Sequence, residues 1–253
     1  MANPIEQLHP TTRFANRVDN YAKYRPSYPE EIIGFLEQFI GLQKEWAIAD
    51  IGSGTGIFSE LLLRNGYKVV GVEPNKEMRE EAEKTLTGYK QFTSINGKAE
   101  DTLLTANSID LITIAQAFHW MARDLSKKEF RRILKPKGFI AMIWNIRLTP
   151  TPFLKAFEAL KIKYGTDYKA SRMVNEKEIA TFFHPKPLTQ KNFNHAQILD
   201  YESLKGQLLS SSYIPLEGEM QEHMMLELDD MYHKYNENGF VKIEYDAKVY
   251  VNN

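Results

Sequence analysis

The stretch AIADIGSGTGIFSEL, residues 47–61, decides the fold. A short apolar run feeds three glycines at alternate positions, and Phe58, Leu61 and Leu62 follow at the i, i+3, i+4 spacing of a helix packed on a sheet. A buried strand, a tight turn and a helix N-terminus form the first unit of a nucleotide-binding α/β fold. Its ligand sits at the carboxyl ends of the strands, near the point where strand order reverses. The glycine spacing narrows the ligand. Gly52, Gly54 and Gly56 read G-x-G-x-G behind Asp50, which is neither the G-x-G-x-x-G of a dinucleotide site nor the G-K-[ST] ending of a phosphate loop. A turn without Cβ atoms lets the backbone approach a nucleoside-like ligand that need not carry phosphate.

The alternation continues on the C-terminal side. YKVVGVE (67–73) is a strand without polar alternation, as expected when both faces are covered, and Met78, Ala82 and Leu86 mark the next helix. A weaker strand signal lies at 91–95 and a strong one at 108–115. A helix follows near 125–134, and GFIAMIW (138–144) makes a strand after the turn KPKG. Strands alternating with helices predict a right-handed parallel sheet. Upstream, Pro29, Glu30 and Glu31 open a helix whose buried face is Ile32, Ile33, Leu36, Phe39 and Ile40.

Beyond Pro150 come helices, an irregular stretch around FFHPKPLTQ, a strand at KNFNHAQIL and a helical segment. In that segment Met220, Met224, Leu228 and Met231 fit a core or the lining of a substrate cover. Val241, Ile243, Tyr245, Ala247, Val249 and Val251 then alternate with mostly polar residues, predicting an antiparallel strand with one exposed face.

The chain has 253 residues, 43% hydrophobic and 26% charged, which fits one large α/β domain with an appendage. A formal charge of −1 leaves no electrostatic footprint for nucleic acid or an anionic membrane, so a small-molecule partner is expected. The basic run RDLSKKEFRRILKPK reads as a helix with a solvated basic face, because Phe130, Ile133 and Leu134 share its apolar side. With no cysteine there is no disulfide, thiolate metal site or catalytic thiol, and no His/Asp/Glu cluster has metal-ligand spacing. The start lacks a signal peptide's apolar core and no run is long enough to span a membrane, so a cytoplasmic protein is expected.

Glu73 ends the second strand seventeen residues after Gly56, where its two oxygens can accept both hydroxyls of a ribose. With that residue in place, DIGSGTG (50–56), VEPNKEM (72–78), GKAED (97–101), IDLITIAQAFHW (109–120) and RILKPKGFIAM (132–142) resemble, in order and spacing, the class I S-adenosylmethionine-dependent methyltransferases. The likeness covers roughly residues 45–145. YAKYRPSYP and AQAFHW further resemble small-molecule enzymes of the trans-aconitate methyltransferase-like subgroup.

The resemblance implies a Rossmann-like, mostly parallel seven-stranded sheet with helices on both faces, an antiparallel C-terminal strand and a helical cover. Its expected organisation is an N-terminal helical lid segment (1–44), an AdoMet-binding core (45–149), a cover with one sheet strand (150–238) and a final strand (239–253). It also implies S-adenosyl-L-methionine as cofactor and a small-molecule methyl acceptor, with a carboxylate suggested by the subgroup. Asp50 and the turn Gly52–Gly56 would hold the methionine part, Glu73 the ribose, Asn75 and Met78 the flanks of the adenine, and Ala99 and Glu100 its edge. Gln116 would approach the methionine group.

Methyl transfer from a sulfonium is an in-line displacement. Orientation can supply about 7–11 kcal/mol, more than the roughly 3–5 kcal/mol of a general base. A carboxylate acceptor is already ionised at neutral pH and needs no base. His119 is the candidate base, weighed against a pocket-wall histidine, and Trp120 is either a wall beside the sulfonium or core. Tyr21 and Arg25 are expected in a lid over the cofactor; Pro26 biases Arg25 to extended backbone, and its guanidinium meets either a carboxylate or the ring of Tyr24 or Tyr28. Asn145 and Arg147 are acceptor-side candidates. Two rivals stay open, a nicotinamide-dependent oxidoreductase, which the glycine spacing opposes, and a non-catalytic AdoMet-binding protein.

Overall fold

The computed structural model describes residues 17–166 and 176–252. Residues 1–16 of the expected lid segment, 167–175 of the expected cover and Asn253 lie outside the described residues. The Rossmann-like half alternates as the sequence predicts: β1 (Ala47–Ile51), α3 (Ile57–Arg64), β2 (Lys68–Val72), α4 (Lys76–Thr85), β3 (Phe92–Ile95), β4 (Ile109–Ala115), α5 (Arg123–Ile133) and β5 (Leu134–Arg147). Two helices precede it, α1 (Val18–Tyr24) and α2 (Glu31–Ile40). After it come α6 (Pro152–Tyr164), α7 (Glu176–Phe183), β6 (Leu188–Leu199), α8 (Tyr201–Leu209), α9 (Glu219–Tyr235) and β7 (Val241–Asn252).

The seven strands form one sheet in the order β3-β2-β1-β4-β5-β7-β6. β1 pairs in parallel with β2 and β4, and β7 runs antiparallel between β5 and β6. Strand order reverses between β1 and β4, so the turn after β1 opens at the switch point where such sheets bind ligands. β1 is apolar on both faces because both are covered: Ile48 packs with Ile32, Leu36 and Leu62 on one side, while Ala49 and Ile51 meet Ile112, Phe130 and Ile133 on the other. A third cluster joins α6, α8 and α9 to the upper part of β7 through Leu154, Phe157, Leu204, Leu228 and Ile243.

Four local expectations change. Phe39 is 39% exposed and stacks on Phe35 at the rim of α2, so that helix buries Ile32, Ile33, Leu36 and Ile40 alone. Met220 is exposed, whereas Met224, Leu228 and Met231 are core. β5 begins at Leu134, before the KPKG turn, and its register with β4 jumps from Ile109↔Leu134 to Leu111↔Phe139, so the turn is a bulge inside the strand. β7 has an alternating face only from Val241 to Lys248. Tyr250 and Asn252 are buried as well, Tyr250 against Trp144 and bonded to Glu176 of α7, because an inner strand is covered on both sides.

Candidate functional site

The glycine turn is left-handed at all three glycines, with φ of 69° at Gly52, 56° at Gly54 and 85° at Gly56. A Cβ on Gly52 would stand 2.6 Å from the Cβ of Ala117, and one on Gly56 would stand 2.6 Å from Leu86 Cδ1. These two side chains are therefore missing for the protein's own packing, the second so that α3 can start against α4. Only at Gly54 does a Cβ point into open room, its nearest neighbour being Met78 Sδ at 4.0 Å. Gly56→Ala is accordingly expected to destabilise the fold by roughly 1–3 kcal/mol from the left-handed backbone, before the added clash. A urea titration showing an unchanged midpoint would contradict this packing account.

Asp50, the last residue but one of β1, faces inward and is 1% exposed. One oxygen accepts from Ser59 Oγ of α3 at 2.7 Å and the other from Thr113 Oγ1 of β4 at 2.9 Å, so the carboxylate ties together the three elements that frame the turn. Its place in the site is that of a brace behind the glycines. Burial pushes its pKa up to about 6, against the two hydroxyl bonds that favour the ionised form. A folded pKa above the unfolded value means stability that is present below about 4 and lost as pH rises through about 6, worth about 3 kcal/mol at 1.36 kcal/mol per unit. Asp50→Asn, whose amide both hydroxyls can still meet, is expected to flatten the stability profile across that window and to raise the melting temperature at pH 8. A profile unchanged from wild type would remove Asp50 as its cause.

Glu73 follows β2 and is 9% exposed. Its Oε2 accepts from the Gly54 backbone N–H at 2.9 Å and its Oε1 from the Asn75 N–H at 2.8 Å, so one carboxylate spans the glycine turn and the entry to α4. Burial raises its pKa, opposed by those two amides. Each oxygen keeps a lone pair for an outside donor. Asn75 is buried and caps α4, its Oδ1 accepting from Met78 N–H at 2.8 Å. Met78 is buried beside the turn, and Ala99 is buried in the core cluster that holds Ile51 and Val72. Glu100 is directed at α5 instead of an open edge: its Oε1 accepts from Ala122 N–H at 2.6 Å and Ser126 Oγ at 3.3 Å, holding the start of that helix.

Gln116 follows β4 with a left-handed φ of 58°, which a non-glycine residue adopts at a cost, and its Nε2 donates to the Asn145 carbonyl of β5 at 3.0 Å. The chain then turns through one 3-10 turn, Phe118–Trp120. Phe118 is buried against Trp144 and Phe182, while His119 and Trp120 are partly exposed with ring centroids 4.6 Å apart. Asn145 donates its Nδ2 to the Ser27 carbonyl at 3.0 Å and shares its Oδ1 with His195 at 2.8 Å.

Residues 17–28 form a strap across this end of the sheet. Arg25 has φ −65° and ψ 145°, the extended form its following proline favours, and lies over the ring of Tyr21 at 4.8 Å, not over Tyr24 or Tyr28. Its Nη2 donates to the Ser210 carbonyl at 3.1 Å, while Arg17 donates to the carbonyls of Leu209, Ser211 and Ile214. Two guanidinium groups thus meet the negative end of α8. The Tyr24 ring lies flat over Gly206, where a Cβ would be 2.1 Å from it. Tyr28 is buried edge-on against Phe58, at the first turn of α3.

A polar belt continues from the strap into the third core cluster. Arg147 pairs with Glu158 of α6 at 2.6 Å, and these side chains are 13% and 8% exposed. Lys161, fully buried, donates to Gln207 Oε1 at 3.3 Å; Gln207 donates to Tyr245, Tyr245 to Gln197 at 2.8 Å, and Gln197 to the Tyr24 carbonyl at 3.1 Å. Burial pushes the Tyr245 hydroxyl up to about 12, and the nearby charges of Arg147 and Arg25 hold it lower than burial alone would. Sequence reasoning missed Ser59, Thr113, Lys161, His195, Gln207 and Tyr245. Lys161 alone carried a signal, standing in line with Leu154 and Phe157 on an otherwise apolar helix face.

A parallel α/β sheet whose glycine turn opens at the switch point, with an acidic residue closing the turn from the next strand, defines a nucleoside-binding domain of the Rossmann-like class. Residues 49–142 match the methyltransferase domain family, and that segment is a class I S-adenosylmethionine-dependent methyltransferase domain. The chain is 34% identical over 134 residues to an uncharacterized methyltransferase of Mycobacterium bovis, an alignment covering 53% of this chain and 52% of that protein, about half its length. It is 28% identical over 225 residues, 86% of each chain, to an uncharacterized methyltransferase of Schizosaccharomyces pombe. A solved structure from Anaeromyxobacter dehalogenans, assigned to the type II methyltransferases, superposes with a TM-score of 0.66 over 90% of this chain and 97% of that one at 18% identity, a likeness of fold. No helix among the described residues is long and apolar enough to cross a membrane.

Proposed function

We propose that this protein transfers the methyl group of S-adenosylmethionine to a small-molecule acceptor bearing a carboxylate. The observation that carries the cofactor half is Glu73, whose two oxygens face the Gly54 and Asn75 amides while the Cβ position of Gly54 stays open. A carboxylate so held presents its remaining lone pairs to a pair of vicinal hydroxyls, as a ribose offers. Met78 supplies a polarizable flank for the adenine, Asn75 and Ala99 its surroundings, and Gln116 with the glycine turn the methionine side. Bound there, the sulfonium supplies an electrophilic methyl group; the residues around it orient the acceptor and exclude water.

The acceptor side is proposed between His119, Trp120, Asn145 and Arg147, beneath a cover made of the strap at residues 17–28 and of α6, α8 and α9. Arg25 and Arg147 both act on Tyr245, and Lys161 is buried on the same belt, so this end of the molecule favours an anionic guest. A carboxylate oxygen is nucleophilic as it stands, and His119 serves as a wall.

Calorimetry with S-adenosylhomocysteine, followed by mass spectrometry of a panel of carboxylates, amines and phenols incubated with S-adenosylmethionine, tests both halves. Methylated carboxylates are expected; binding with only amines or phenols modified would overturn the acceptor class, and NADH binding in place of the nucleoside would overturn the cofactor. His119→Ala is expected to raise the acceptor KM with kcat reduced less than tenfold. A collapse of kcat by about 10²–10⁴-fold, with loss of the acidic limb of the pH profile, would make it a base.

A further inference from the structure

His195 lies on β6, two strands beyond β5, yet it is bonded into the cofactor end of the sheet. Its ring stacks on Tyr245 with centroids 5.2 Å apart and planes inclined 23°, and its Nε2 lies 2.8 Å from Asn145 Oδ1. The Ser27 carbonyl, 3.0 Å from the Asn145 amide nitrogen, can only accept, which turns the amide oxygen toward His195. His195 therefore has to donate, and its proton must sit on Nε2. Half-burial keeps the imidazole below its ordinary pKa, against a smaller opposing pull from Glu31, so it is neutral at pH 7.5.

Asn145 is the node of this arrangement. Its backbone carbonyl takes the Gln116 side chain, and its amide takes Ser27, the residue before Tyr28, which packs on Phe58 behind the glycine turn. We propose that His195 is a positioning residue for nucleoside binding: as the Nε2–H donor it locks the Asn145 amide, and through it the strap at Ser27–Tyr28. This rests on the S-adenosylmethionine reading above.

The test begins with wild-type binding of S-adenosylhomocysteine by calorimetry and the His195 tautomer by long-range nitrogen–proton NMR. The Nε2–H form is expected in the wild type, with a shift toward Nδ1–H in Asn145→Ala. His195→Ala is expected to raise the Kd for S-adenosylhomocysteine and the KM for S-adenosylmethionine roughly three- to tenfold, the worth of one neutral hydrogen bond, with kcat at saturation little changed. His195→Gln, whose amide can donate to the same oxygen, should recover most of that loss. An Nδ1–H tautomer in the wild type, an unchanged Kd in His195→Ala, or equal losses in both variants would overturn the proposal. A wild type that binds no nucleoside would refute the cofactor reading instead, and with it any role of His195 in binding, while an Nε2–H tautomer would leave the hydrogen-bond geometry standing.

Discussion

Glu73→Ala is expected to weaken binding of S-adenosylmethionine and S-adenosylhomocysteine by about 10²–10⁴-fold in calorimetric titration, the largest loss from any single side chain of the site. Hydrogen bonds to a charged group contribute about 1.5–3 kcal/mol each, and a tenfold change in affinity is about 1.4 kcal/mol. Two such bonds to ligand hydroxyls would set that range. The same truncation releases the Gly54 and Asn75 amides, which the carboxylate now fixes, so the turn also loses its preorganisation. Glu73→Gln separates the two contributions poorly and is expected to lose nearly as much. An amide has one acceptor oxygen, so its NH2 would be set against one of the two backbone N–H groups. A Glu73→Ala protein that retains its helical circular dichroism and binds within threefold of wild type would remove Glu73 from the ribose.

The reach of the sequence ended where partners are distant in the chain. β1, the glycine turn and α3 are readable because burial on both faces of a parallel strand and a helix-period stripe are local patterns, Ile48 belonging to the first and Leu61 and Leu62 to the second. Glu73 was readable from its interval to the glycines, a consequence of how long one βαβ unit must be. What fixes Asp50 was not. Ser59 looks like any polar residue in a helix and Thr113 like any β-branched residue in a strand, nine and 63 positions away; only the fold brings both hydroxyls to one carboxylate. The glycines serve more than a ligand: Gly52 and Gly56 make room for Ala117 and Leu86, contacts that no spacing rule encodes. Arg25 was expected to meet a carboxylate or the ring of Tyr24 or Tyr28, and the carbonyl it bonds on α8 lies 185 residues further along.

Glu158→Ala is expected to lower the melting temperature by roughly 6–20 °C, the largest stability loss among the substitutions considered. Arg147 and Glu158 are both more than four-fifths buried, and removing one partner of a buried pair typically costs about 3–5 kcal/mol, because the remaining charge has lost its solvent and its counter-charge together. For a chain of this length each kcal/mol moves the melting temperature by about 2–4 °C. The pair is not thereby a net source of stability, since desolvating two ions offsets most of their attraction. Replacing both at once, as Arg147→Met with Glu158→Leu, is therefore expected to recover most of the lost melting temperature. Function should move the other way. If Arg147 orients an anionic acceptor, the double variant stays folded and binds S-adenosylhomocysteine normally, yet its acceptor KM rises at least tenfold. Calorimetry and steady-state kinetics on the same preparation read the two effects separately. A double variant with wild-type acceptor KM would confine Arg147 to holding α6 against the sheet, whereas a single Glu158→Ala variant melting with the wild type would show that other groups already compensate the guanidinium.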